Sequence, residues 1–137
     1  VSPWNDVAAR AADGASAADP SIVAADEAHR AAMAGEATLY DIRTPQEWTM
    51  TGVPQGAERL SLQDPRFGET LLARLRAEPA TPVILICASG GRTGQVLQQL
   101  SQMGLSGARH VAEGVSGSPA GPGWLARGLP LERGDGA

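Results

Sequence analysis

The run from Pro82 to Cys87 constrains the fold more than any other stretch. Val83-Ile84-Leu85-Ile86 is an unbroken apolar block rich in β-branched residues. A strand with one wet face alternates apolar and polar residues. A continuous block this short predicts instead a strand covered on both faces, as in a parallel sheet with helices above and below. At its end stands the only cysteine of the chain, Cys87, followed by Ala88-Ser89-Gly90-Gly91 and Arg92.

The surrounding sequence has the rhythm such a sheet requires. Strand candidates lie at Ser21 to Val23, Thr38 to Arg43, Ala57 to Leu60, Pro82 to Cys87 and Ala108 to Val111. Helical spacing appears over Asp26 to Ala34, with Gly35 placed to stop it. It appears again over Gly68 to Ala77, with Leu71, Leu72 and Leu75, and over Thr93 to Met103, with Val96, Leu97, Leu100 and Met103 on one face. Thr44-Pro45 starts a short helical turn, with proline at its permitted first position. Gly52 to Gly56 and the Gly/Pro-rich Gly114 to Gly123 read as loops, and Trp124 to Arg127 as a terminal turn. Alternating strands and helices predict an α/β fold. Residues 1–20 read as an N-terminal extension, 21–133 as one domain and 134–137 as a tail.

With 137 residues, 42% of them hydrophobic, the chain can bury a core without metal or disulfide staples. A net charge of −4 argues against nucleic acid or an anionic membrane surface as the main partner. The longest apolar run, Val83 to Ala88, is six residues, too short for a membrane span. All eleven basic residues are arginine, which fits a GC-rich coding bias. One cysteine and two distant histidines, His29 and His110, offer no metal-ligand spacing, so no metal is expected. Both histidines read as structural, and Trp48 and Trp124 as core anchors.

A lone cysteine is a small core residue, an intermolecular partner or a reactive thiol. Its position favours the last. Ligands of parallel sheets bind beyond the carboxyl ends of the strands. The small residues Ala88 to Gly91 can curl so that successive N–H groups face inward, and the helix beginning near Arg92 adds its positive end. Both favour thiolate, the nucleophilic form. Arg92 either binds an anionic substrate or pairs with a carboxylate to stiffen the loop, with the second favoured. Ser89 and Thr93 could donate to a loop-bound anion, but Thr93 is expected chiefly as the helix cap.

These residues resemble a single rhodanese domain over about Ser21 to Leu131. LYDIRTPQEW (Leu39 to Trp48) is similar to the family's Asp-x-Arg signature with its short Glu-aromatic helix. TGVPQGA (Thr51 to Ala57) resembles the Gly-His-Ile-Pro-Gly-Ala element, VILICASGGRT the active-site strand and loop, and HVAEGVSG with WLARGLP the closing segment. The resemblance implies a three-layer fold: a central, mostly parallel five-stranded sheet with helices on both faces. It implies a sulfurtransferase without cofactor, in which Cys87 takes sulfur from a small anionic donor such as thiosulfate as a persulfide. A thiol, cyanide or a protein acceptor then removes it. The amides of Ala88, Ser89, Gly90, Gly91 and Arg92 would cradle the persulfide, in a binding loop that runs to Thr93. Asp41, Arg43 and Glu47 would support the loop, with a salt bridge from Arg43 to Glu47.

Two departures stand out. Val53 occupies the position of the family histidine, and the closing Gly-Gly is Gly114-Val115. The loop is also neutral until Arg92, so thiosulfate is expected to serve as a test substrate more than as the natural donor. The rival readings are a sulfur-carrier or interaction module without activity, and a cysteine phosphatase or arsenate reductase. Phosphatase loops place five residues between cysteine and arginine; here there are four, Ala88 to Gly91. A reactive lone thiol is easiest to keep reduced in the cytoplasm, and a leader removed before Val1 would place it in the periplasm.

Overall fold

The computed structural model describes residues 19–133. The expected extension, Trp4 included, lies outside the described residues apart from Asp19 and Pro20, as does the expected tail at 134–137. Helix α1 (Ala25–Met33) leads to strand β1 (Thr38–Asp41), helix α2 (Pro45–Thr51) and the short strands β2 (Val53–Pro54) and β3 (Ala57–Arg59). Helix α3 (Phe67–Ala77), strand β4 (Val83–Ile86), helix α4 (Gly91–Gln102) and strand β5 (Ala108–His110) follow. Helix α5 (Gly123–Ala126) and strand β6 (Leu131–Glu132) complete the described fold.

The main sheet has the order β3-β1-β4-β5, and every pairing in it is parallel. Ser21 to Val23 joins it through one bridge, Ile22 to His110, so the expected fifth strand is reduced to a single parallel contact beside β5. β4 lies between β1 and β5, and all four of its residues are buried. Among the described residues no helix is long and apolar enough to cross a membrane.

The unbroken apolar block works because each face of β4 meets a different helical layer. Val83, Leu85 and Cys87 point into a cluster with Leu71 of α3 and Val96, Leu97 and Leu100 of α4. Ile84 and Ile86 point into the opposite cluster with Ala25 and Ala28 of α1, Val115 and Trp124. Burying each such aliphatic side chain contributes about 1.5–3 kcal/mol. The alanine spacing of α1 lets that helix approach the sheet closely, with Ala25 and Ala28 fully buried.

The loop expected at Gly52 to Gly56 contains β2, which pairs antiparallel with β6. Two-residue strands carry no periodicity, so neither was visible in the sequence. Val53, at the family's histidine position, is buried at this junction and pairs with Glu132. Trp124 is the fully buried anchor expected, and meets the His29 ring edge-on at 5.4 Å. Trp48 is not such an anchor. It is half-buried outside both core clusters, with the Arg59 guanidinium carbon 5.9 Å from its ring centroid. The reason is that α2 lies at the rim of the sheet and buries none of its residues fully.

Candidate active site

Cys87 is the first residue beyond β4, at the carboxyl end of the sheet, and is 1% exposed. Its carbonyl accepts from Val115 N–H at 2.9 Å, and the Ala88 carbonyl from Ser116 N–H at 2.8 Å. These bonds hold the Cys87 loop against the segment after β5. The approach is close enough to exclude side chains on both sides. A Cβ on Gly90 would stand 2.2 Å from the Ala112 oxygen, and one on Gly114 would stand 2.2 Å from the Ala88 oxygen. Gly90 also has φ 91° and Gly114 φ 71°, a region that side chains disfavour. Val115, in place of the second closing glycine, is buried in the core.

The left-handed turn at Gly90 brings its own N–H back to the cysteine, with N 3.2 Å from Sγ. Gly90 is the N-cap of α4, and the first N–H groups of a helix have no carbonyl one turn back. The sulfur therefore sits at the positive end of a twelve-residue helix. Ser89 and Gly91 are exposed at the rim, while Ala88 and Gly90 are half-buried.

Thr93 is not the helix cap that its position suggested. α4 starts two residues earlier, at Gly91, because the glycines complete the first turn. Thr93 instead turns inward, fully buried, with Oγ1 3.6 Å from Cys87 Sγ, 3.2 Å from the Gly90 oxygen and 2.7 Å from His110 Nδ1. His110, 8% exposed at the end of β5, thus stands one hydroxyl away from the cysteine. The sequence offered no signal for this, since the two residues meet only through the sheet. Burial lowers the His110 pKa, against a smaller opposing influence from Asp19.

The Arg92 guanidinium forms a two-point pair with Glu47, at 2.7 and 2.9 Å. That is the loop-stiffening role expected of it. Glu47 also completes the capping box of α2: its carboxylate accepts from Thr44 N–H at 3.1 Å, and its N–H donates to Thr44 Oγ1 at 3.1 Å. The Arg92 hydrogen bonds hold the Glu47 carboxyl at about 2, far below its ordinary 4.5, against the opposing effect of burial.

The expected salt bridge from Arg43 to Glu47 is absent. Arg43 pairs with Asp41, its neighbour on the same strand face, at 2.8 Å, and both side chains are almost wholly buried. Its other donors reach Thr51 Oγ1 at 2.8 Å and the Gly52 oxygen at 2.9 Å. The buried Asp41 carboxylate needs an adjacent cation, and Glu47 is already committed to Thr44 and Arg92. Asp41 and Arg43 thus tie β1 to the end of α2. A second carboxylate, Glu113, does similar work on the other face: it accepts from the N–H groups of Ala25 at 3.1 Å and Gly123 at 2.7 Å, and from Arg127 Nε at 2.7 Å.

The rhodanese-like domain profile matches residues 24–118. An uncharacterized Rickettsia prowazekii (strain Madrid E) protein, RP600, is 27% identical over 102 residues, 70% of this chain and 83% of that one. The polysulfide-sulfur transferase homodimer of Wolinella succinogenes is similar in structure, with a TM-score of 0.58, 25% identity and coverage of 92% of this chain and 88% of that one. A Rhodopseudomonas palustris CGA009 protein of unknown function, described as a possible tyrosine phosphatase, has a TM-score of 0.57 at 21% identity over 81% of this chain and 83% of its own; this likeness shows the fold alone. The parallel sheet, the cysteine at its carboxyl end and the profile match over most of the domain agree: the chain belongs to the rhodanese-like domain family.

Proposed function

We propose that the chain is a sulfurtransferase that carries sulfane sulfur on Cys87. The observation that carries this reading is the Gly90 N–H directed at Sγ at the start of α4. A hydrogen-bond donor and a helix N-terminus both favour negative charge on sulfur. With thiosulfate, the Cys87 thiolate attacks the outer sulfur, the S–S bond to the sulfonate breaks, and sulfite leaves with the bonding pair. Cys87 is then a persulfide anion. A thiolate or cyanide attacks its terminal sulfur, breaks the new S–S bond and regenerates the thiolate. The acceptor departs as a persulfide or as thiocyanate. This double displacement needs one nucleophile and no oxidant. The resting thiol must be kept from oxidation, which suits the cytoplasm.

The phosphatase reading fits the loop less well. An oxyanion needs a free arginine fork over the cysteine, whereas the Arg92 guanidinium is already held by the Glu47 carboxylate. The same pairing leaves the cradle without an uncompensated charge from Arg92, which favours donors of low charge, such as alkyl persulfides, over the thiosulfate dianion.

Intact-mass spectrometry after incubation with thiosulfate or an alkyl persulfide tests the proposal. The expected result is an adduct of one sulfur atom on Cys87, removed by cyanide with release of thiocyanate and missing in Cys87→Ser. Sulfur transfer that survives Cys87→Ser, or hydrolysis of an aryl phosphate without any sulfur adduct, overturns it.

A further inference from the structure

We propose that His110 is a positioning residue for Cys87, acting through the hydroxyl of Thr93. Three segments meet here: the end of β4, the first turn of α4 that follows it, and the end of β5, seventeen residues beyond Thr93. Cys87, Thr93 and His110 are 1%, 0% and 8% exposed, so water does not compete freely for their hydrogen bonds.

The argument is a count of protons. The Thr93 hydroxyl has one proton and three neighbours able to take it: His110 Nδ1 at 2.7 Å, the Gly90 oxygen at 3.2 Å and Cys87 Sγ at 3.6 Å. If His110 carries its proton on Nε2, Nδ1 is an acceptor and the short contact takes the hydroxyl proton. The lone pairs of the oxygen then face the sulfur, which disfavours a thiolate. If Nδ1 carries the proton, it donates to Oγ1, and the hydroxyl proton is free for Sγ. A thiolate therefore selects one direction for the whole chain, from Nδ1–H to the hydroxyl and from the hydroxyl to sulfur.

Burial keeps the ring below its ordinary pKa, so the imidazole is neutral at neutral pH and its tautomer, not its charge, sets this direction. The charge acting on the ring is the Asp19 carboxylate, and the charge acting on Cys87 is the Arg92 guanidinium, itself paired with Glu47. When sulfur is loaded, negative charge moves from Sγ to the terminal atom. The hydroxyl proton can then turn to His110 Nδ1, the nearest acceptor at 2.7 Å, with the ring proton on Nε2. The pair thus gives the sulfur a donor that is present when the thiolate must form and withdrawn when it no longer bears charge.

The inference rests on the reading of Cys87 as the nucleophile, and its test does not depend on sulfur transfer. The readout is the rate of Cys87 alkylation by iodoacetamide at neutral pH, which follows the thiolate. Loss of one charge-assisted hydrogen bond corresponds to about a tenfold fall in rate. Thr93→Val and His110→Ala are each expected to show it, and the double variant should be no slower than Thr93→Val alone. His110→Asn, which places an amide N–H near the position of Nδ1, should restore most of the rate. Nitrogen NMR of the ring gives a second readout that needs no substitution. On alkylation of Cys87 the His110 signals should move from the Nδ1–H to the Nε2–H pattern while those of His29 stay in place.

Wild-type alkylation in His110→Ala, additive effects in the double variant, or unchanged His110 ring signals on alkylation each overturn the proposal. If His110→Ala does not fold, His110→Asn and the NMR comparison decide. A protein that shows the coupling but takes no sulfur from any donor defeats the sulfurtransferase reading and leaves this one standing.

Discussion

Glu47 holds Arg92 by two hydrogen bonds of 2.7 and 2.9 Å, and so joins the cap of one helix to the first turn of another. The carboxylate is 29% exposed and the guanidinium 35%, so solvent weakens the pair without dissolving it. Glu47→Gln is expected to cost about 1 kcal/mol at neutral pH. The folded-state pKa of Glu47, about 2, lies below the unfolded 4.5. The stabilisation is therefore complete above 4.5 and is lost as pH falls toward 2. Urea midpoints measured across this range should show the wild type converging on the variant in acid. A constant gap between the two proteins would contradict the assignment.

The same substitution should alter donor preference. In Glu47→Gln the Arg92 guanidinium loses its compensating charge beside the cradle. The KM for thiosulfate, a dianion, should fall several-fold, and less so at high salt. The KM for an alkyl persulfide, a monoanion, should fall less. Steady-state kinetics with both donors, at low and high ionic strength, measure the contrast.

Asp41→Asn should be far more damaging than Glu47→Gln. It leaves the buried Arg43 guanidinium, 1% exposed, without its only anionic partner among the described residues. Removing one member of a buried pair costs roughly 3–5 kcal/mol. Denaturant unfolding is the measurement, and a loss near 1 kcal/mol would mean that water reaches the pair in solution.

Adjacent glycines in the loop should respond in opposite ways. Gly90→Ala places a Cβ against the Ala112 backbone oxygen at φ 91° and should cost about 3 kcal/mol or more, with loss of activity. Gly91→Ala meets nothing within 4 Å at a position that starts a helix, and should cost less than about 0.5 kcal/mol. Thermal unfolding of the two variants side by side checks this, and equal losses would show that the loop adopts another conformation.

Gly114→Ala tests the same contact from the other wall. Its Cβ would fall 2.2 Å from the Ala88 oxygen, so the variant should weaken folding and displace the Cys87 loop. Iodoacetamide should then reach Cys87 at an altered rate even under conditions where the protein remains folded, as judged by circular dichroism.

Much of this protein was decided within short stretches of sequence. The length and branching of the apolar block Val83 to Ile86 favour a strand buried on both faces, and it is one. The leucine spacing of α3 and the glycine turn at Gly90-Gly91 likewise act over one or two helical turns, where side-chain size and backbone freedom determine the conformation. Thr44, Pro45 and Glu47 form the start of α2 for the same local reason. What the tertiary structure alone decided is how the polar groups pair. Glu47 chose Arg92 rather than Arg43, Thr93 turned from capping to face the cysteine, and His110 came within one hydroxyl of Cys87. β2 found β6, and Trp48 stayed at the rim. Each of these depends on which groups the parallel strands deliver to the same end of the sheet. A buried charge or proton is satisfied by whatever partner lies within about 3 Å in space, however far away it is along the chain.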